Sequence, residues 1–168
     1  MDTQQRTAPD RLAGDRASLT GFLQYQRETL AMKCAGLTVE QLRQRAVPAS
    51  RLTLLGLVRH LAEVERIWFR AVVNGEDGAA HWPTPPGEAF AEFDVADADP
   101  DEAFRVWDEE CARSRATVDA AESLDTVIRW RDQEFTLRYI LTHLIEEYAR
   151  HNGHADLLRE TIDGATGE

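Results

Sequence analysis

Apolar residues recur at helical spacing in four long segments. From Arg11 to about Ala35 the stripe is Leu12, Leu19, Phe22, Leu23, Leu30 and Cys34, and Gly36 is placed to end the helix. From Thr53 to Val73 it is Leu54, Leu57, Leu61, Val64, Trp68 and Val72, stopped by Asn74-Gly75. A third helix opens at Asp99-Pro100-Asp101-Glu102, where a cap, a first-turn proline and first-turn acids coincide, and runs through Phe104, Trp107, Cys111 and Val118 to Glu122. The fourth runs from Thr136 to about Thr161 with Leu137, Ile140, Leu141, Leu144, Tyr148, Ala155 and Leu158, before Gly164.

The connections are informative too. Thr38 and Gln41 have capping-box spacing around a short helical turn, followed by a loop at Val47-Pro48-Ala49-Ser50. Val127-Ile128-Arg129-Trp130 is too short for a helix and reads as extended or hairpin-like. Gly75 to Asp99 is rich in glycine, proline and acids, a long loop of a kind uncommon unless it serves a function. Its bulky groups, His81-Trp82-Pro83 and Phe90 to Phe93, are suited to packing over a cleft. Each apolar stripe needs partners, so the expected fold is an all-α four-helix bundle with a long loop between the second and third helices. Residues 10–163 form the expected domain, with tails at 1–9 and 164–168.

The composition suits one folded domain: 168 residues, 43% hydrophobic. Thirty acids against nineteen Lys and Arg give a formal charge of −11, which argues against nucleic acid and anionic lipid as partners. No apolar run approaches the roughly 18 residues of a membrane helix, and the opening residues lack an export signal's apolar core, so the expected location is cytoplasmic. Cys34 and Cys111 fit neither a disulfide framework nor a thiol metal knuckle and read as reduced, buried small hydrophobes. Lys33 is the only lysine, an arginine skew that suggests GC-rich codons.

Against this background a few polar residues fall on apolar stripes. Glu147 and His151 lie one turn apart on the face of Ile140, Leu144 and Leu158, and His60 sits among Leu57, Leu61 and Val64. A buried carboxylate needs a compensating cation. Facing helices lie about 8–10 Å apart, close enough for His60, Glu147 and His151 to surround one divalent ion, zinc or nickel, with open positions. The bland reading is a hydrogen-bonded core histidine, with Glu147 paired to Arg59 or Arg150. His154, on roughly the same side of the helix, reads as a further ligand, a partner of the ligands, or a base; Arg59 and Arg150 read as clamps for a substrate or thiol carboxylate, or as solvated charges.

The blocks LTLLGLVRHLAEVERIWF and LTHLIEEYARHNGHADLLRE resemble the DinB superfamily, and in particular its largely actinobacterial branch related to mycothiol-dependent maleylpyruvate isomerases. The similarity covers nearly the whole chain from about residue 12. It implies a bundle that holds one divalent metal through a histidine of the second helix and two residues one turn apart on the last, here His60, Glu147 and His151. Many DinB-like proteins have histidine where this chain has Glu147, whereas the isomerase-type branch has glutamate. The arginine-heavy composition agrees with an actinobacterial source.

The resemblance implies a metal-dependent enzyme in which a low-molecular-weight thiol, mycothiol, attacks a small electrophile, by transfer or by isomerisation. In that reading Arg59 binds the thiol cofactor, while His154 and Arg150 are catalytic. Two alternatives stay open: a metal-dependent hydrolase, and a non-catalytic metal-binding or stress-response protein. A homodimer through the aromatic groups of the long loop, or a cleft they cover within one chain, is likewise open.

Overall fold

The computed structural model describes residues 6–86 and 90–166. The described residues are mostly helical, with one small hairpin among them. Helix α1 spans Asp15–Cys34, later than the stripe beginning at Leu12 suggests. An Asx turn, in which the Leu12 N–H donates to Asp10 Oδ1 at 2.9 Å, reverses the chain and leaves Leu12 94% exposed. Of the expected tail, residues 1–5 lie outside the described residues. Arg6 stacks on Tyr25, and the Thr7 N–H donates to Glu28 at 2.7 Å, so both lie along α1.

Helix α2 (Val39–Leu42) carries the capping box: the Gln41 N–H donates to Thr38 Oγ1 and the Thr38 N–H to Gln41 Oε1. Helix α3 (Leu54–Glu65) starts at Thr53, whose Oγ1 accepts from the Gly56 N–H at 2.9 Å. It does not continue as an α-helix to Val73. Arg66–Val73 is π-wound, a difference that apolar spacing over eight residues does not register. The wider winding accompanies Arg66 and Arg70 reaching the long loop: Arg66 donates to the Gly78 carbonyl, and Arg70 bridges Glu76 and Glu110.

Helix α4 (Pro100–Ala120) has Asp99 as its cap, accepting from the Asp101 N–H. Strands β1 (Val127–Trp130) and β2 (Gln133–Thr136) pair antiparallel, Val127 opposite Thr136 and Trp130 opposite Gln133. Helix α5 (Leu137–Asp163) is capped by Thr136 and stops at Gly164, whose φ of 76° few other residues adopt.

Helix α1 packs on α5, α3 packs on α4, and α3 meets α5 across the core. Leu23 and Leu30, Leu54, Leu57 and Leu61, and Ile140, Leu141 and Leu144 are all shielded from solvent, each contributing about 1.5–3 kcal/mol. Two arginines tie the ends of neighbouring helices together. Arg159 of α5 donates to the Lys33 and Ala35 carbonyls at the end of α1, and Arg16 of α1 donates to Val118 and Ala121 at the end of α4.

The long loop is strapped to α3. Glu63 Oε1 accepts from the His81 and Trp82 N–H groups at 2.5 and 3.2 Å, and Trp82 lies over Arg59, 4.6 Å from guanidinium to ring. A short 3-10 turn, Ala91–Phe93, then brings the chain back over the start of α3. No helix among the described residues is long and apolar enough to cross a membrane.

Candidate metal centre

Helix α3 supplies His60, and α5 supplies Glu147 and His151 one turn apart. Their ligand atoms lie within 4.8 Å of one another. Glu147 Oε1 is 3.3 Å from His60 Nε2 and 3.3 Å from His151 Nε2, and the two imidazoles meet edge to face with centroids 4.7 Å apart. The three are largely buried, with side-chain exposures of 17% for His60, 16% for Glu147 and 11% for His151. The bland pairing of Glu147 is not what is found. Arg150 is an exposed partner of Glu146, and Arg59 donates to the Asp94 carbonyl.

The electrostatics follow from this geometry. Burial disfavours charge on His60, but hydrogen bonds to Glu92 and Glu147 outweigh it and hold the imidazole above its ordinary value. His151 goes the other way: burial, His60 and His154 push it down to about 4 against the pull of Glu147. Burial raises Glu147, yet the two histidines bring it below the usual carboxylate range. The site therefore offers a carboxylate oxygen and an uncharged His151 imidazole beside a second imidazole, His60, that is held between two carboxylates.

The donor set fits a divalent metal. Both Nε2 atoms face Glu147, and both Nδ1 atoms are engaged on the opposite side of their rings: His60 Nδ1 is 3.2 Å from Glu92 Oε1, and His151 Nδ1 is 3.3 Å from His154 Nδ1. Imidazoles held through one nitrogen with the other directed inward are the usual arrangement of histidine ligands.

The remaining expected residues fall as follows. His154 stands behind His151 rather than beside the Nε2 atoms. Arg59 is buried on the loop side of α3, between Trp82 and Asp94. Arg150 is not brought to the cluster. Tyr148 is a core residue, its O–H donating to Glu65 and its oxygen accepting from Trp107 Nε1. Trp68 packs edge-on against His143 and Phe135. Sequence reasoning gave the segment from Phe90 to Phe93 a packing role over a cleft and assigned neither Glu92 nor Phe93 to the cluster. Phe93 stacks on the His60 ring at 5.1 Å, and both sit in the loop, where no periodicity marks a side chain as inward. The phenylalanine-flanked acid within a loop too long for a plain connection was the available signal.

Comparison with known proteins adds a family. A family model described as mycothiol-S-transferase matches residues 18–164. A comparison with curated proteins finds no match. Among solved structures the chain is similar to a conserved protein from Enterococcus faecalis, with a TM-score of 0.69, 19% identity, and coverage of 88% of this chain and 96% of that one. That likeness is one of fold.

Proposed function

The chain belongs to the mycothiol-S-transferase family, within the DinB superfamily, and on that premise we propose that it is a metal-dependent transferase joining a low-molecular-weight thiol, mycothiol, to a small electrophile. The observation that carries the metal half of this reading is the convergence of His60 Nε2, His151 Nε2 and Glu147 Oε1. These three would hold the ion. Zinc suits two imidazole nitrogens and one carboxylate oxygen, and nickel is the alternative. A cation bound there supplies the positive charge that keeps a thiol ionised near neutral pH.

The protein's own sulfur does not fit the nucleophile's role. Cys34 and Cys111 are free, buried and remote in sequence from the ligands, and burial pushes both thiols up. The nucleophile is then a thiol from outside, as the family's description implies. Glu147 lowers the net charge of the loaded site and fixes the ion against α5. His154 stands behind the His151 imidazole, its Nδ1 3.3 Å from that of His151.

The test is direct. Purified protein loaded with zinc is incubated with mycothiol and a panel of small electrophiles, and thioether formation is followed by mass spectrometry. The expected result is turnover that requires both metal and thiol and disappears in Glu147→Ala. Stoichiometric metal with no turnover across the panel would favour a binding protein; thiol-independent consumption of an ester or amide would favour a hydrolase.

A further inference from the structure

Three consecutive residues of the long loop engage three residues on one face of α3. Glu92 meets His60, with Oε1 3.2 Å from Nδ1. Phe93 lies over Gly56, where a Cβ would come within 3.0 Å of its ring. The Asp94 carbonyl accepts from the buried Arg59 guanidinium. Positions 56, 59 and 60 are spaced i, i+3 and i+4, so a single stripe of the helix receives the whole turn. The turn is closed by its own backbone, the Phe93 and Asp94 N–H groups donating to the Phe90 and Ala91 carbonyls at 3.0 Å. Val95 is buried just beyond it, and Arg43 donates to the Ala98 carbonyl at 2.6 Å.

We propose that Glu92 is the positioning residue of the metal centre, its carboxylate holding His60 as the Nδ1–H tautomer so that the Nε2 lone pair faces Glu147 and His151. This rests on the metal reading above. Glu92 on one side of the His60 ring and Glu147 on the other only accept hydrogen bonds when ionised. An ion bound on the Nε2 side would take the place of any proton there, so the one proton of the ligating, neutral imidazole sits on Nδ1, facing Glu92. Phe93, stacked on the ring at 5.1 Å with 25° between planes, restricts rotation of the imidazole about its own bond to the helix. Glu92 is 12% exposed at its side chain, shielded enough for the contact to persist against water. The long loop between Val73 and α4 thus forms one wall of the metal site.

The experiment compares the full-length protein with Glu92→Ala, Glu92→Gln and His60→Ala, using zinc affinity from chelator competition and 15N spectra of histidine-labelled, zinc-loaded protein. Expected for Glu92→Ala is zinc binding weakened about 10–100-fold at unchanged stoichiometry, with loss of the slowly exchanging Nδ1 proton of His60. Glu92→Gln, whose amide oxygen still accepts that hydrogen bond, is expected to retain the proton resonance and fall between the two in affinity. Circular dichroism of each variant reports that the helices are intact. If wild-type protein binds zinc through His60 but Glu92→Ala binds it equally well and keeps the imidazole proton, the positioning role is overturned while the metal reading stands. If wild-type protein takes up no stoichiometric zinc, or His60→Ala leaves uptake unchanged, both are overturned.

Discussion

Arg27 and Glu65 meet inside the bundle as a bidentate pair, Nε and Nη2 each donating at 2.8 Å to the two carboxylate oxygens, with side chains 5% and 0% exposed. Glu65 also accepts from the Tyr148 O–H at 2.8 Å, and that oxygen in turn accepts from Trp107. Helices α1, α3, α4 and α5 all contribute to this network, so it fixes their register.

Removing one partner leaves the other charge buried and alone. Glu65→Leu or Arg27→Met is expected to lower stability by about 3–5 kcal/mol, whereas the two combined should recover much of that loss because no charge is stranded. Urea unfolding of the two single variants and the double variant makes the comparison. A double variant as unstable as the worse single one would mean that the pair itself, and not the stranded charge, carries the energy.

The same pair sets a pH dependence. Burial raises the Glu65 carboxyl, but Arg27 beside it and hydrogen bonds from Arg27 and Tyr148 bring it below the usual carboxylate range in the folded chain. A group with a depressed folded pKa contributes stability that is fully present above its unfolded value, roughly 4.3 for Glu, and that is lost as pH falls through the folded value. The stability gap between wild type and Glu65→Gln is therefore expected to be constant near neutrality and to narrow as the pH is taken well below 4.3, that same roughly unperturbed value. Denaturant midpoints measured from neutral to acid pH test this. A gap that widens on acidification contradicts it.

Neither cysteine is poised to react. Burial pushes the Cys34 thiol up to about 12 despite Arg159 nearby. Cys111 is raised by burial and by Glu65. A disulfide reagent such as Ellman's is expected to label neither thiol in the native protein at mildly alkaline pH, and both once denaturant is added. Fast labelling of either one in the native state would make that cysteine a rival to the external thiol.

Much of this was legible in the amino-acid sequence, and the reasons are local. Thr38 with Gln41, Asp99 with Pro100, Thr136 and Gly164 mark helix ends through chemistry that acts within a few residues, and the helices begin and end there. His60, Glu147 and His151 stood out as polar side chains on apolar stripes, and the fold brings them together. Arg27 and Glu65 satisfy the same criterion, lying four residues after Leu23 and Leu61, but a charged residue in a helix is so commonly solvated that the pair emerges only once α1 and α3 face each other. Glu92 had no such marker, because a loop has no period and its contact with His60 spans 32 residues. The start of α1 failed for a related reason: Leu12 is in phase with the stripe, yet Asp10 turns the chain before the helix begins.

Gly56 links the fold to the proposed centre. It is the third residue of α3, and a Cβ there would lie 3.0 Å from both Thr53 Oγ1 and Phe93 Cδ1. Alanine brings a helix-propensity gain of about 1 kcal/mol over glycine, set against strain on the Thr53 cap, itself worth roughly 1 kcal/mol. The unfolding midpoint of Gly56→Ala is therefore expected to change little. The loop has less freedom: Phe93 must retreat by a few tenths of an ångström, and Glu92, the residue before it, moves with the same turn and lengthens its contact with His60. Zinc binding is expected to weaken, by a smaller factor than in Glu92→Ala, in a protein of near-wild-type stability. Calorimetric titration alongside thermal melts separates the two effects. Unchanged affinity in Gly56→Ala would mean that the loop yields at Phe93 without moving Glu92, and that the docking of the loop and the setting of His60 are independent.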